Sequence, residues 1–211
     1  MVSYGALAEG VMAGDASVVE SEVNKALHEG AEARDILVKG LIGSMSIVGE
    51  RFRDGDMFLP EVLASADAMH KGLDIVTPLL AESDQMGLGK VVIGTVEGDI
   101  HDIGKRIVSF LLQGNGFEVI EFGVDIKGEG FIRAVKEHKP DILGMSALLT
   151  TTMTNMGKVI DLLKERGLRE RVKVIVGGAP VNEEFAKSIG ADGYAPEAGS
   201  AVELVKKLIA S

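Results

Sequence analysis

Apolar positions follow two different rhythms along the chain, and the change falls near residue 85. Before it they recur three and four apart, the spacing of one helical face. A first segment ends at Gly14-Asp15, and Asp15 suits the cap of the next. Val18, Val19, Val23 and Leu27 make a stripe that stops at Gly30. Ile36, Leu37, Leu41, Ile42, Met45, Val48 and Phe52 make another, closed by Asp54-Gly55-Asp56. Pro60 suits the first turn of a fourth helix carrying Val62, Leu63, Ala66, Met69, Leu73, Val76 and Leu80. Four helices with short connections predict an antiparallel bundle. Met57-Phe58-Leu59-Pro60 puts large apolar groups at a hairpin tip, either as a staple at a helix start or as a cover for something. Ser83–Lys90, with Gly87 and Gly89, reads as a linker.

Beyond it, short apolar runs alternate with helical patterns. The runs are Val91–Gly94, Glu118–Phe122, Ile142–Met145, Lys173–Val176 and Gly193–Ala195. The helical patterns lie near 103–114, 128–138, 153–166, 182–188 and 198–210. This alternation predicts a parallel sheet with helices on both faces, in the flavodoxin-like doubly wound order. The expected fold is therefore an N-terminal four-helix bundle over 1–85 followed by a Rossmann-like, five-stranded parallel domain over 90–211.

Right-handed crossovers place the loops after the strands on one sheet edge, where ligands bind in such folds. After the first strand comes Gly94-Thr-Val-Glu-Gly-Asp-Ile-His-Asp-Ile-Gly104, which sets Asp99 one residue from His101. A carboxylate beside an imidazole fixes its tautomer and raises its basicity, although a lone Asp before a helix is more often a cap. After the third strand comes Ser146-Ala-Leu-Leu-Thr-Thr-Thr152, and after the fourth Gly177-Gly178-Ala179-Pro180. A His/Asp pair, hydroxyls and a glycine pair converging on one edge describe a small-molecule site. Gly104-Lys105-Arg106 lacks the hydroxyl of a Walker A loop, and the dinucleotide fingerprint of three close glycines is absent. One His backed by one Asp suits a single axial bond to a metal that a macrocycle already holds.

Composition narrows the classes. The 211 residues contain no cysteine, which excludes disulfides, zinc–thiolate sites and iron–sulfur clusters and fits a cytoplasmic protein. A net charge of -10 argues against a nucleic-acid partner. No apolar run is long enough to span a membrane, and no signal segment opens the chain.

These residues resemble the cobalamin-binding proteins of the methionine synthase type. That pattern is Asp-x-His-x-x-Gly, Ser-x-Leu and Gly-Gly, matched here by Asp99-Ile-His101-Asp-Ile-Gly104, Ser146-Ala-Leu148 and Gly177-Gly178. Gly49-Glu-Arg-Phe52 and Phe58-Leu-Pro-Glu61 look like the helical cap that precedes such domains. With a cap and one cobalamin domain, the chain is most similar to the corrinoid proteins of methyltransferase systems, which serve methylamine, methanol, glycine betaine or methoxy-aromatic substrates. The resemblance implies a cobalamin or related corrinoid cofactor with cobalt bound below by His101. Asp99 accepts the other imidazole N–H, and Thr152 keeps the hydroxyl of a relay serine. Gly98, Ile100, Asp102, Ile103 and Gly104 belong to the same cofactor loop. Ser146, Leu148, Thr150, Gly177 and Gly178 line the slot for the displaced nucleotide tail, where glycines leave the path unobstructed. Phe58 covers the upper face. The implied function is a methyl carrier cycling between Co(I) and methyl-Co(III), not a complete enzyme alone. Its implied partners are a substrate-specific methyltransferase, an acceptor methyltransferase using a thiol or tetrahydrofolate, and a reductive activator. A swivel about 83–90 admits each partner in turn. The rival readings are the cobalamin subunit of an adenosylcobalamin-dependent mutase and a corrinoid-sensing regulator. The helical cap weighs against the first, and the absence of a basic patch or spare length weighs against the second.

Overall fold

The structure is a computed structural model that describes residues 3–80 and 88–210. Most of the expected linker lies outside the described residues. The chain divides into two compact units, Met1–Gly87 with Phe110–Gly116, and Leu88–Ser109 with Phe117–Ser211.

The first unit holds α1 (Gly5–Ala13), α2 (Ala16–His28), α3 (Ala33–Asp35), α4 (Gly43–Asp54) and α5 (Leu59–Val76). A π-helical stretch, Ile36–Ile42, runs from α3 into α4. The expected third helix is thus one continuous rod with a wider turn in its middle. The sequence carries the cause: its buried apolar positions step by five from Ile36 to Leu41, then by four to Met45 and three to Val48. A π turn keeps the five-residue step on one face. Helix α1 packs against α2, α4 and α5, and α5 also against α2 and α4. Leu7, Val11, Val19, Val23, Val62 and Met69 fill the space between them.

Two local devices set the first turn. Asp15 accepts hydrogen bonds from the backbone of Ser17 and Val18, satisfying orphan N–H groups of α2. Gly14 takes a left-handed conformation (φ +68), and a Cβ there would lie 2.6 Å from Ala64 Cβ. Gly14→Ala is expected to destabilise the bundle by about 1–3 kcal/mol, combining the left-handed cost with the clash. A urea titration followed by circular dichroism checks it; an unchanged midpoint would contradict it.

The second unit holds β1 (Lys90–Thr95), the part of α6 (Ile103–Gly114) that precedes Phe110, β2 (Glu118–Glu121), α7 (Gly128–His138), β3 (Ile142–Ser146) and α8 (Thr150–Glu165). It continues with β4 (Lys173–Gly177), α9 (Glu183–Ile189), β5 (Gly193–Ala195) and α10 (Ala198–Ile209). All strand pairs are parallel, in the order β2-β1-β3-β4-β5. Val92, Leu143, Met145, Val174 and Val176 pack with Phe131, Ile132, Met156 and Ile160 of α7 and α8. Their alternates Val91, Ile93, Ile142 and Ile175 are buried as well. Both faces are therefore covered, which is why these strands read as continuous apolar runs.

Strand β1 is where the winding reverses. The chain passes from β1 to β2 on one side and then returns past β1 to β3 on the other. Loops that leave the two sides of such a point diverge and open a crevice at the strand ends. The register Thr95↔Ser146↔Gly177↔Ala195 brings the ends of β1, β3, β4 and β5 into one line.

Candidate functional site

The β1–α6 and β3–α8 loops meet at Asp99, which is fully buried. One carboxylate oxygen, Oδ1, accepts the backbone N–H of His101 at 3.1 Å and pairs with His101 Nδ1 at 2.7 Å. The other, Oδ2, accepts the backbone N–H groups of Leu148 at 2.7 Å and Leu149 at 3.3 Å, and the Thr152 hydroxyl at 2.7 Å. Leu149 is the cap residue of α8. The carboxylate therefore sits at the amino end of a sixteen-residue helix, where negative charge is favoured. Burial by itself would raise the Asp99 pKa, but the hydrogen bonds from Thr152, Leu148 and His101 outweigh it and hold the carboxyl well below the usual carboxylate range.

An ionised Asp99 is acceptor-only, so its 2.7 Å partner His101 Nδ1 carries the proton. The lone pair then belongs to Nε2. The His101 side chain is 47% exposed, against 0% for Asp99. Ile100 and Ile103 neighbour His101 in sequence, Leu148 and Leu149 donate their backbone N–H groups to Asp99, and all four side chains are exposed and apolar. A ring nitrogen with an open lone pair, on loops that expose apolar side chains, suits a large flat apolar ligand that carries its own metal. Among the described residues no group of three or more His, Asp or Glu could hold a bare ion. The donor set thus fits one axial bond to a macrocycle-held metal and does not fit a free-standing metal site.

The loop is braced from behind. The Thr95 hydroxyl donates to the His101 carbonyl at 3.1 Å and lies 3.0 Å from the Ser146 hydroxyl. Asn155 of α8 donates its amide to the Glu97 carbonyl at 2.8 Å, and Asp125 accepts the Gly98 N–H at 2.7 Å. Thr95, Asn155 and Asp125 escaped the sequence reading because each serves backbone groups of the loop rather than a side chain that advertises chemistry. The one usable signal was Gly123-Val-Asp125, a turn directly after β2.

Of the residues singled out in the sequence, Gly98, Asp99, His101, Ser146, Leu148 and Thr152 meet in this network. Gly177 pairs with Ser146 in the sheet register, and Gly178 abuts the backbone of Ala147. Gly104 and Thr150 are exposed, Thr150 as the first residue of α8 rather than part of a loop. Asp102 pairs at 3.8 Å with Arg106 on the surface of α6. In the first unit, Phe58 is 71% exposed, whereas its neighbour Met57 is buried. The apolar tip divides accordingly: Met57 packs inward, Glu61 accepts the Phe58 N–H at 2.7 Å, and the Phe58 ring faces outward.

Thr152 contributes the only side-chain hydroxyl to Asp99 among the described hydrogen bonds. Thr152→Val keeps the shape and removes that donor. It is expected to cost about 1–2 kcal/mol in a denaturant titration, while Thr152→Ser stays within about 0.5 kcal/mol of wild type. Equal losses in the two variants would contradict the role given to the hydroxyl.

Comparison with known proteins agrees with this chemistry. Residues 89–205 match a B12 binding domain, and residues 4–77 match a second family of that description. A corrinoid protein of Desulfitobacterium hafniense strain Y51 is 44% identical, over 96% of this chain and 95% of its own. A dimethylamine corrinoid protein of Methanosarcina barkeri is 47% identical, over 97% of this chain and 96% of its own. The solved methanol:cobalamin methyltransferase complex of Methanosarcina barkeri contains a chain with a TM-score of 0.88 and 33% identity, covering 99% of this chain and 80% of that one. The Asp99–His101 crevice therefore lies within a matched B12 binding domain, and the protein belongs to the family of corrinoid proteins that pair a helical with an α/β B12 binding domain.

Proposed function

We propose that the protein is a corrinoid-dependent methyl carrier in which His101 is the lower axial ligand of cobalt. The observation that carries this reading is the buried, ionised Asp99 holding Nδ1–H of a half-exposed His101 and leaving Nε2 to bind. When bound, the corrinoid supplies a cobalt that takes a methyl group from one partner and gives it to another.

The chain's own residues prepare that exchange. Asp99 fixes the ring orientation and the tautomer of His101, and Thr152 with the amino end of α8 fixes Asp99. Nε2 has two uses for its lone pair, a ligand or a proton. With no ligand there, Nε2 would be open to a proton instead, with the ionised Asp99 on the other side of the ring. Ile100, Ile103, Leu148 and Leu149 would shield a bound corrinoid from water on the His101 side, and we assign cover of its other face to Phe58. Ser146, Thr150, Gly177 and Gly178 are assigned to the nucleotide tail, together with the loop residues Gly98, Asp102 and Gly104.

On this reading residues 1–85 act as cap and 90–211 as carrier domain. The partners are a substrate-specific methyltransferase, an acceptor methyltransferase that uses a thiol or tetrahydrofolate, and a reductive activator. The dimethylamine and methanol relatives support a small methylated amine or alcohol as the ultimate donor. No helix of the described residues is long and apolar enough to cross a membrane, and we assign the carrier to the cytoplasm with its partners.

The test loads the protein with hydroxocobalamin, reduces it and offers radiolabelled methyl iodide. The expected result is label retained in proportion to bound corrinoid and discharged to a thiol when a thiol-specific acceptor methyltransferase is added. Loaded, reduced protein that takes up no label would overturn the carrier role.

A further inference from the structure

We propose that Asp125, on the loop after β2, is a positioning residue for the His101–Asp99 pair. Its carboxylate accepts the N–H of Gly98 at 2.7 Å, and its own N–H donates to the carbonyl of Asp99 at 2.9 Å. Asp125 thus grips the Glu97–Gly98 peptide before Asp99 and the Asp99–Ile100 peptide after it. Asn155 and Thr95 also brace this loop, at the Glu97 and His101 carbonyls, but among the described bonds only Asp125 holds both the Gly98 N–H and the Asp99 carbonyl.

Three features point to a built clamp. Asp125 holds a left-handed backbone (φ +53), one of two described non-glycine residues with positive φ. Asp tolerates that region better than most residues, at a cost that surrounding structure must offset. The surrounding structure is visible: Thr95 N–H donates to Gly123 O, Ile126 N–H donates to Thr95 O, and Val96 bridges Ile126. These bonds extend the β1–β2 pairing past the ends of both strands and bring Asp125 alongside the Asp99 turn. Gly98, the residue gripped, also has positive φ (+82), so its N–H is aimed by a turn that needs holding. Asp125 is exposed, which lets its side chain be changed without opening a core.

The physical consequence concerns His101. Asp99 Oδ2 is fixed by α8, whereas Oδ1 meets His101 only while the Gly98–His101 backbone keeps its turn. Release of the clamp lets that turn relax and lengthens the 2.7 Å contact. The Nδ1–H tautomer then loses its advantage. This inference rests on the proposed role of His101, but its test does not need the cofactor.

The experiment compares wild type, Asp125→Gly and Asp125→Asn without corrinoid, at a pH where the nitrogen-15 shifts themselves show the ring to be neutral. Glycine removes the acceptor while relieving the left-handed strain; asparagine keeps an acceptor and tolerates the same backbone. Nitrogen-15 NMR reads the His101 tautomer, and amide exchange reads the Gly98 N–H. Wild type is expected to show the Nδ1–H form. Asp125→Gly is expected to mix in the Nε2–H form and to exchange Gly98 about tenfold faster, the order of one lost charge-assisted hydrogen bond. Asp125→Asn restores both signals. Wild-type tautomer and exchange in Asp125→Gly would overturn the proposal, and so would an Asp125→Asn protein that behaves like Asp125→Gly. A purely conformational role predicts no loss with glycine, so the two variants separate it from positioning. Wild-type protein that shows the clamp signals but retains no hydroxocobalamin would refute the carrier reading and leave the clamp standing.

Discussion

Asp99→Asn is expected to destabilise the protein by about 2–4 kcal/mol at neutral pH and to abolish the defined tautomer of His101. Every described partner of the Asp99 carboxylate is a donor: two N–H groups of His101, the N–H groups of Leu148 and Leu149, and the Thr152 hydroxyl. An amide offers one oxygen and one NH2, so one side of the site faces donor against donor inside a buried crevice. The pH dependence follows from the depressed Asp99 pKa. A carboxyl whose folded pKa lies below its unfolded value stabilises the fold fully above the unfolded value and loses that contribution as pH falls through the folded one. The Asp99 share is therefore constant from about pH 5 upward, begins to shrink below about pH 4, and is gone only below the depressed folded value. Denaturant titrations from pH 7 to pH 3 should show the wild-type advantage over Asp99→Asn shrinking on the acid side. An advantage that stays constant into acid would mean that ionised Asp99 is not the stabilising species.

Gly178→Ala is expected to be at least as damaging, for a steric reason. Gly178 has φ +122, and a Cβ there would lie 1.9 Å from the Ala147 carbonyl oxygen, 2.9 Å from its carbon and 3.2 Å from its nitrogen. All three are backbone atoms, so no rotamer change relieves the contact. The β4–α9 turn and the β3–α8 loop must separate, which strains the 3.3 Å bond from Ala147 N–H to Gly177 O. Leu148, the next residue, donates to Asp99, so the strain reaches the His101 support directly. A loss of about 3 kcal/mol or more is expected, or failure to accumulate folded protein. Gly177→Ala is the control: its Cβ would stand 3.1 Å from Ala195 O without a positive φ, and about 1 kcal/mol is expected. Equal tolerance of the two substitutions, read by thermal melts, would contradict this account of the glycine pair.

These two positions show how far the sequence could be read. The extents of α6 and α7 were legible, because strong helical spacing is bounded there by loops rich in Gly and Asp. The strand order was legible too, since alternation of short apolar runs with helices leaves few parallel topologies. The convergence of Asp99, His101 and Thr152 followed from placing their loops on one sheet edge. The π turn at Ile36–Ile42 was not seen, since a five-residue step is easily absorbed into a helical stripe. Thr150–Thr152 read as loop yet open α8, because a hydroxyl run resembles a cap region and Leu149, a residue without capping chemistry, holds the cap position. Asp99 itself takes over that helix end from a distant loop. Gly178 read as an open path for a tail, and the structure adds a close backbone approach that only tertiary contact reveals. Asp125 was missed for the same reason: its partners are peptide groups, which every residue has.

The central claim is that His101 Nε2 binds the cobalt of a corrinoid. The most direct measurement is the ultraviolet–visible spectrum of wild type and His101→Ala after incubation with hydroxocobalamin and desalting. The account predicts that wild type retains the corrinoid in a form with its own lower base displaced by histidine, and that His101→Ala gives a different spectrum or retains less. Identical spectra at equal occupancy would contradict it, leaving a corrinoid protein in which His101 is not the ligand.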